Sequence, residues 1–145
     1  MSTFTFHHPV EVRYGDLDPQ WHVNNSRFLT YLEQTRYAYV KELGLFDGVS
    51  FFDFGLIVAD IHIAFLAAIS PNQTIQVAQR VANIGNKSIR FEYQIEDCET
   101  GKVMARAEAV MVTYDYHQAQ SVTVPPQWRA RIAEFEGIPS GLSAA

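Results

Sequence analysis

Two hydrophobic periods divide the chain. Phe4, Phe6, Val10, Val12 and Tyr14 fall at even positions within 3–14, the two-residue period of a strand with one face turned inward. A polar loop over 15–24 follows, with Pro19 inside it. The period then changes. Phe28, Leu32, Thr35, Tyr39 and Leu43 recur at steps of three and four, flanked by Leu29, Arg36 and Val40, which predicts one long helix over 25–43. Asn24 or Asn25 supplies a cap, and Gly44 sits where a left-handed closing residue is wanted. At ~1.5 Å per residue that helix is about 28 Å long.

After the helix the pattern returns to strands. The run 56–68 is apolar almost throughout and predicts a central strand buried on both faces. Residues 74–84 alternate through Ile75, Val77 and Val81. The Gly85-Asn86 turn leads into 88–96, where Ile89, Phe91, Tyr93 and Ile95 alternate with Arg90, Glu92, Gln94 and Glu96, a half-solvated antiparallel strand. Thr100-Gly101 turns the chain into a last strand over 102–114, and Pro125-Pro126 opens a short helix through Phe135. The expected architecture is α+β, a single domain over 1–137 in which a sheet of about five antiparallel strands wraps one long helix. A polar, small-residue tail over 138–145 is expected to fray. With one helix to cover one face, the both-sided apolar strand points to a second copy of the chain, a homodimer or a dimer of dimers (a tetramer).

Composition narrows the partners. Of 145 residues 48% are hydrophobic and 13% aromatic, enough for a core and too many for general disorder. The net charge of −5 disfavours a nucleic-acid surface, so an anionic ligand must meet a local cluster among the eleven Lys and Arg. One cysteine, Cys98, cannot form an internal disulfide, as suits a reducing compartment. The first residues lack a basic start followed by an apolar run, and the longest apolar stretch carries Asp60 and His62. A cytoplasmic protein with no membrane partner is expected.

The chemistry is concentrated in 12–25, where Asp16, Asp18, His22, Asn24 and Asn25 crowd the loop before the helix. A helix start offers unpaired backbone N–H groups and partial positive charge, which favour an anion or a polarised carbonyl. A carboxylate beside such donors is what acyl-transfer hydrolysis needs. By spacing alone the same residues serve as well to pin the loop, with Asp16 or Asp18 bracing the first turn and His22 satisfied locally.

The run Asp16-Leu17-Asp18, then His22-Val23-Asn24-Asn25, resembles hotdog-fold acyl-CoA thioesterases of the 4-hydroxybenzoyl-CoA thioesterase-like group, and the loop is also similar to that of plant acyl-ACP thioesterases. Element order matches that fold over nearly the whole chain. The resemblance implies hydrolysis of an acyl-CoA, or acyl-ACP, to free acid and thiol, with no cofactor beyond the CoA of the substrate. It makes Asp18 the catalytic carboxylate, as general base or as nucleophile. The backbone N–H of Asn25 polarises the carbonyl, His22 orients water or the carboxylate, and Asn24 lies beside the substrate. Those acyl-ACP enzymes carry Asn where this chain has Gln20, so no role carries over there, and Asp16 is read as structural. Lys87, Ser88 and Arg90 resemble the place where the nucleotide end of CoA is met, though a solvated hairpin rim explains them equally well.

The remaining polar residues carry less. Asp60 and His62 share one face of an apolar strand and fit a subunit contact better than a pocket wall. His7, His8 and His117 lack the spacing of a metal site, and the loop acids lack the alternation and closing Glu of a calcium loop, so no metal is expected. Phe46, Phe51, Phe52 and Phe54 either roof an acyl cavity or pack in the core. Two other functions suit the fold: a dehydratase or hydratase of acyl thioesters, whose Gly-Pro-rich loop is missing here, and a non-catalytic acyl-CoA binding subunit, which has no use for Asp18.

Overall fold

The computed structural model describes residues 4–141. Its elements run β1 (Phe6–Val10), α1 (Asn25–Glu42), β2 (Leu56–Phe65), β3 (Ile75–Ile84), β4 (Ser88–Asp97), β5 (Val103–Asp115), the two-residue β6 (Gln120–Ser121) and α2 (Pro126–Glu136). The strands form one antiparallel sheet in the order β1-β3-β4-β5-β2, with β6 paired to β5. This is the expected α+β arrangement. The first strand is shorter than the alternation suggested, and a 3-10 turn over Tyr14–Asp16 leads into the loop.

Helix α1 lies on the concave face. It buries Phe28, Tyr31, Leu32, Thr35, Arg36, Tyr39 and Val40, while Leu29 stays partly exposed. Of these, Phe28, Tyr31, Leu32, Tyr39 and Val40 join Val77, Val81, Ile89, Phe91, Tyr93 and Ile95 in one core cluster. Both helix ends are closed by local chemistry. The Asn24 side chain accepts from the Ser26 N–H at 2.9 Å. At the far end Gly44 is left-handed (φ 74°), and the N–H groups of Gly44 and Leu45 reach back to the carbonyls of Lys41 and Val40. Helix α2 is tied down by Glu136, whose carboxylate accepts from the Tyr39 hydroxyl and from the Val81 N–H, a group freed by the bulge between Val81 and Asn83. Residues 138–140 of the expected tail are held too. Ile138 packs against the core and the Ser140 carbonyl accepts from Arg129 at 2.9 Å, while 142–145 lie outside the described residues.

The strand over 56–65 is not central. β2 pairs only with β5 and forms an edge of the sheet, with Ile57, Val58, Phe65 and Leu66 each about 40–50% exposed. Apolar residues on both faces mark a strand as coverable, not as covered by its own chain. The convex face is no substitute cover, because it carries the polar pairs Arg80–Glu92, Gln76–Glu96 and Arg90–Glu108. The free, apolar side of the molecule is therefore the β2 edge with the flank of α1 beside it.

Candidate active site

The loop before α1 is built by its two acids, which have different jobs. Asp16 is buried, and its Oδ2 accepts from the Arg13 N–H and from the Tyr31 hydroxyl, both at 2.9 Å, with Arg27 at 3.8 Å from Oδ1. Burial first, then the hydrogen bond to Asp16, pushes the Tyr31 hydroxyl well above the ordinary tyrosine range. The Asp16 carbonyl also accepts from the Asn24 N–H at 2.8 Å, so this residue fixes where α1 begins.

Asp18 is half-buried. Its Oδ1 accepts from the backbone N–H groups of Gln20 (3.0 Å) and His22 (3.2 Å), and its own N–H donates to the His22 carbonyl at 2.8 Å. That closed turn holds Trp21 in the left-handed region at φ 67°, an uncommon conformation for a bulky residue. Oδ2 takes no hydrogen bond from the described residues. The turn is anchored to the body of the fold by the Val23 N–H, which donates to the Ile69 carbonyl at 2.9 Å.

Asp18, His22, Asn24, Asn25, Phe28 and Phe65 line one open cleft of about 590 Å³. Asn25 is the first helical residue, and its backbone N–H has no acceptor among the described residues. The Asn24 amide oxygen is already committed to the Ser26 N–H and hydroxyl. Asn24 thus belongs to the cleft wall through its cap. His22 is exposed and its ring has no partner among the described residues, so it is free to act on something in the cleft. The arrangement can hold a carbonyl oxygen at the helix start, with a carboxylate oxygen available to the carbon.

The hairpin residues are elsewhere. Ser88 pairs with Val112 and the Lys87 carbonyl accepts from the Thr113 N–H, at the end of β5 where Leu56 begins β2. The cleft lies by Phe65, at the other end of β2 and so about 30 Å distant. Arg90 is paired with Glu108 at 2.9 Å on the convex face. Within one protomer Lys87, Ser88 and Arg90 do not join the Asp18 cleft. Asp60 and His62 are exposed on the β2 edge.

A second cavity, about 570 Å³, lies along the same flank between α1 and the start of β2, with Tyr37, Phe51, Phe54 and Tyr116 among its walls. The aromatic run after the helix therefore divides its labour, with Phe46 in the core and Phe51 and Phe54 at this cavity. Beside it His117 Nε2 lies 2.9 Å from Asp53 Oδ1, and the hydrogen bond to Asp53 raises the His117 pKa. A raised folded pKa means that the contact stabilises the fold below the ordinary histidine value of about 6.5 and ceases to do so as pH rises through the folded value. NMR titration should give His117 a pKa above about 6.5, and Asp53→Asn should lower it. Among the described residues no group of three or more His, Cys, Asp and Glu side chains is placed to hold a metal ion.

An antiparallel sheet wrapped on one long helix is the hotdog fold, and here Asp18 lines one cleft with the start of that helix. Comparison with known proteins agrees. The profile of the Thioesterase-like superfamily matches residues 12–132, and the chain belongs to that family. It is 22% identical over 126 residues to the long-chain acyl-CoA thioesterase FadM of Escherichia coli (strain K12), covering 87% of this chain and 96% of that one. It is 24% identical over 122 residues to the uncharacterized protein YsmA of Bacillus subtilis (strain 168), covering 84% of this chain and 81% of YsmA. Among solved structures it superposes on a thioesterase of Thermus thermophilus, complexed with coenzyme A and Zn, with TM-score 0.83 and 29% identity over 96% of this chain and 99% of that one. No described helix is long and apolar enough to cross a membrane.

Proposed function

We propose that the chain hydrolyses an acyl-CoA thioester in the Asp18 cleft. The observation that carries this reading is one juxtaposition: Asp18 and Asn25 line the same cleft, with a carboxylate oxygen and a helix-start N–H both unspent among the described residues. The N–H of Asn25 binds the carbonyl oxygen as it gains charge. Asp18 either takes a proton from the attacking water, so that the tetrahedral intermediate collapses with C–S cleavage and loss of the CoA thiolate, or attacks the carbonyl carbon itself and expels that thiolate to form an anhydride that water then opens. His22 orients that water or the carboxylate. The coenzyme A bound by the Thermus thioesterase supports CoA as the carrier. Thiol release from a panel of acyl-CoAs tests this directly: turnover is expected, whereas hydration of crotonyl-CoA without thiol release would indicate the hydratase chemistry instead. Heavy oxygen entering Asp18 during a single turnover in isotopically labelled water would identify the nucleophilic route.

Two copies are needed to complete the site. A two-fold axis normal to the sheet beside β2 pairs that edge antiparallel with its own copy, covering the exposed apolar residues. It also sets the Leu56 end of one protomer against the Phe65 end of the other, so that Lys87 and Ser88 of one copy approach the Asp18 cleft of the next. There they, with Arg90, would meet the nucleotide end of CoA. Gel filtration at micromolar concentration should return a dimer or a dimer of dimers, and a clean monomer would overturn this assembly. The reaction is assigned to the cytoplasm.

A further inference from the structure

The cavity between α1 and the start of β2 has one feature that an apolar acyl pocket does not require. Arg36 lines it, is 4% exposed, and is paired with no carboxylate among the described residues. Its hydrogen bond runs from Nη1 to the Tyr93 hydroxyl at 2.8 Å, with the guanidinium also 5.9 Å from the centre of the Tyr93 ring. Tyr93 is no counter-ion. Burial pushes its hydroxyl up to about 12 against the lowering effect of Arg36, so it is neutral at working pH. Glu33 borders the same cavity one turn earlier on α1, but it is exposed and within ion-pair distance of no arginine or lysine among the described residues. Guanidinium does not escape its charge by losing a proton, so burial leaves it wanting an anion.

A second buried polar side chain stands next to Tyr93 on the sheet. Gln79 is fully buried, and neither its amide nitrogen nor its amide oxygen has a hydrogen-bond partner among the described residues. It stands directly opposite Tyr93 across β3 and β4, on the face turned to α1. Tyr93 thus accepts from a buried arginine, and its cross-strand neighbour is a buried glutamine whose amide has no partner among the described residues. The cavity walls are mostly apolar and aromatic, with Tyr37, Phe54, Val58 and Met111 among them. That combination suits a ligand with an apolar body and one anionic end.

We propose that this cavity takes the far end of an acyl group that itself terminates in a carboxylate, and that Arg36 is the specificity residue that binds it, so that the preferred substrates are CoA thioesters of dicarboxylic acids. A carboxylate matches the fork of a guanidinium in a bidentate pair and supplies the missing charge. The inference rests on the acyl-CoA reading above and adds the class of acyl group.

The test uses non-hydrolysable thioether analogues of straight-chain acyl-CoAs in a length series, each made with a methyl or a carboxylate terminus, titrated calorimetrically into the full-length protein. At the best-fitting length the carboxylate analogue should bind at least about tenfold tighter than its methyl twin, the least that one charge-assisted hydrogen bond to a buried partner supplies. In Arg36→Met that ratio should collapse to one or below, and in Arg36→Lys part of it should return. A wild-type ratio of one or less overturns the proposal whether or not the variants fold. So does a high ratio that survives in a folded Arg36→Met protein. Hydrolysis of the corresponding thioesters separates the two readings. If Asp18-dependent cleavage persists without carboxylate preference, only the role of Arg36 falls. If the preference holds and no thioester is cleaved, the Asp18 mechanism falls and a carboxyacyl-CoA binding site is left.

Discussion

Asp18→Asn should lower kcat by at least about a hundredfold while leaving the thermal midpoint nearly unchanged. The size follows from removing one general base or nucleophile, which contributes typically ~10²–10⁴-fold. The unchanged midpoint follows from what Asp18 does for the fold. Its Oδ1 accepts two backbone N–H bonds, from Gln20 and His22, and an asparagine amide oxygen accepts the same two. The left-handed turn at Trp21 is thus preserved while the charge disappears. KM should move little, because the proposed carbonyl donor, the Asn25 N–H, and the other walls of the cleft are unchanged by the substitution. Steady-state thiol release read alongside a melting curve checks both halves. A variant with near wild-type turnover would remove Asp18 from the chemistry.

The helix and its cap were legible because they depend on local signals: a 3.6-residue stripe, an asparagine at the start and a glycine at Gly44. The cluster of Asp18, His22, Asn24 and Asn25 was legible for the same reason, since a loop leading into a helix start brings near-neighbours together without help from the rest of the fold. What local signals do not fix is long-range placement. The apolar run beginning at Leu56 reads as a central strand because hydrophobicity reports that a surface is to be covered and is silent on which chain covers it. The hairpin at Lys87 was legible as a hairpin, but only sheet order puts it at the opposite end from Asp18. Arg36 was legible only as a flank of the helical stripe. Nothing in a helical period distinguishes an arginine whose stem covers the core from one whose charged head is enclosed, and that difference emerges only when Tyr93, remote in sequence, arrives at its guanidinium.

These ambiguities share a cause. The surfaces that local signals leave ambiguous, the β2 edge and the flank of α1 facing it, are those that stay exposed or lined by cavities in the protomer. On the proposed reading, acyl preference would be set by cavity residues such as Tyr37, Phe54 or Arg36, and changes there would leave the Asp18 turn undisturbed, because it is stabilised within its own few residues. Chemistry and specificity would then be carried by separable parts of the chain.

The neighbouring acid should behave in the opposite sense to Asp18. Asp16→Ala is expected to cost about 2–3 kcal/mol of folding stability, the range for removing a charged acceptor from buried hydrogen bonds. The carboxylate satisfies two donors at once, the Arg13 N–H and the Tyr31 hydroxyl, and alanine leaves the phenol in the core without an acceptor. Tyr31→Phe with Asp16→Ala should recover part of that loss, because the orphaned hydroxyl is then gone. Activity should fall only as far as the start of α1 is displaced, since the Asp16 carbonyl that receives the Asn24 N–H is backbone and survives the substitution. Denaturant midpoints of wild type, Asp16→Ala and the double variant, read beside steady-state thiol release from each, measure both effects. If Asp16→Ala instead lowers kcat by as much as Asp18→Asn with an unchanged midpoint, the division of labour between the two acids is wrong.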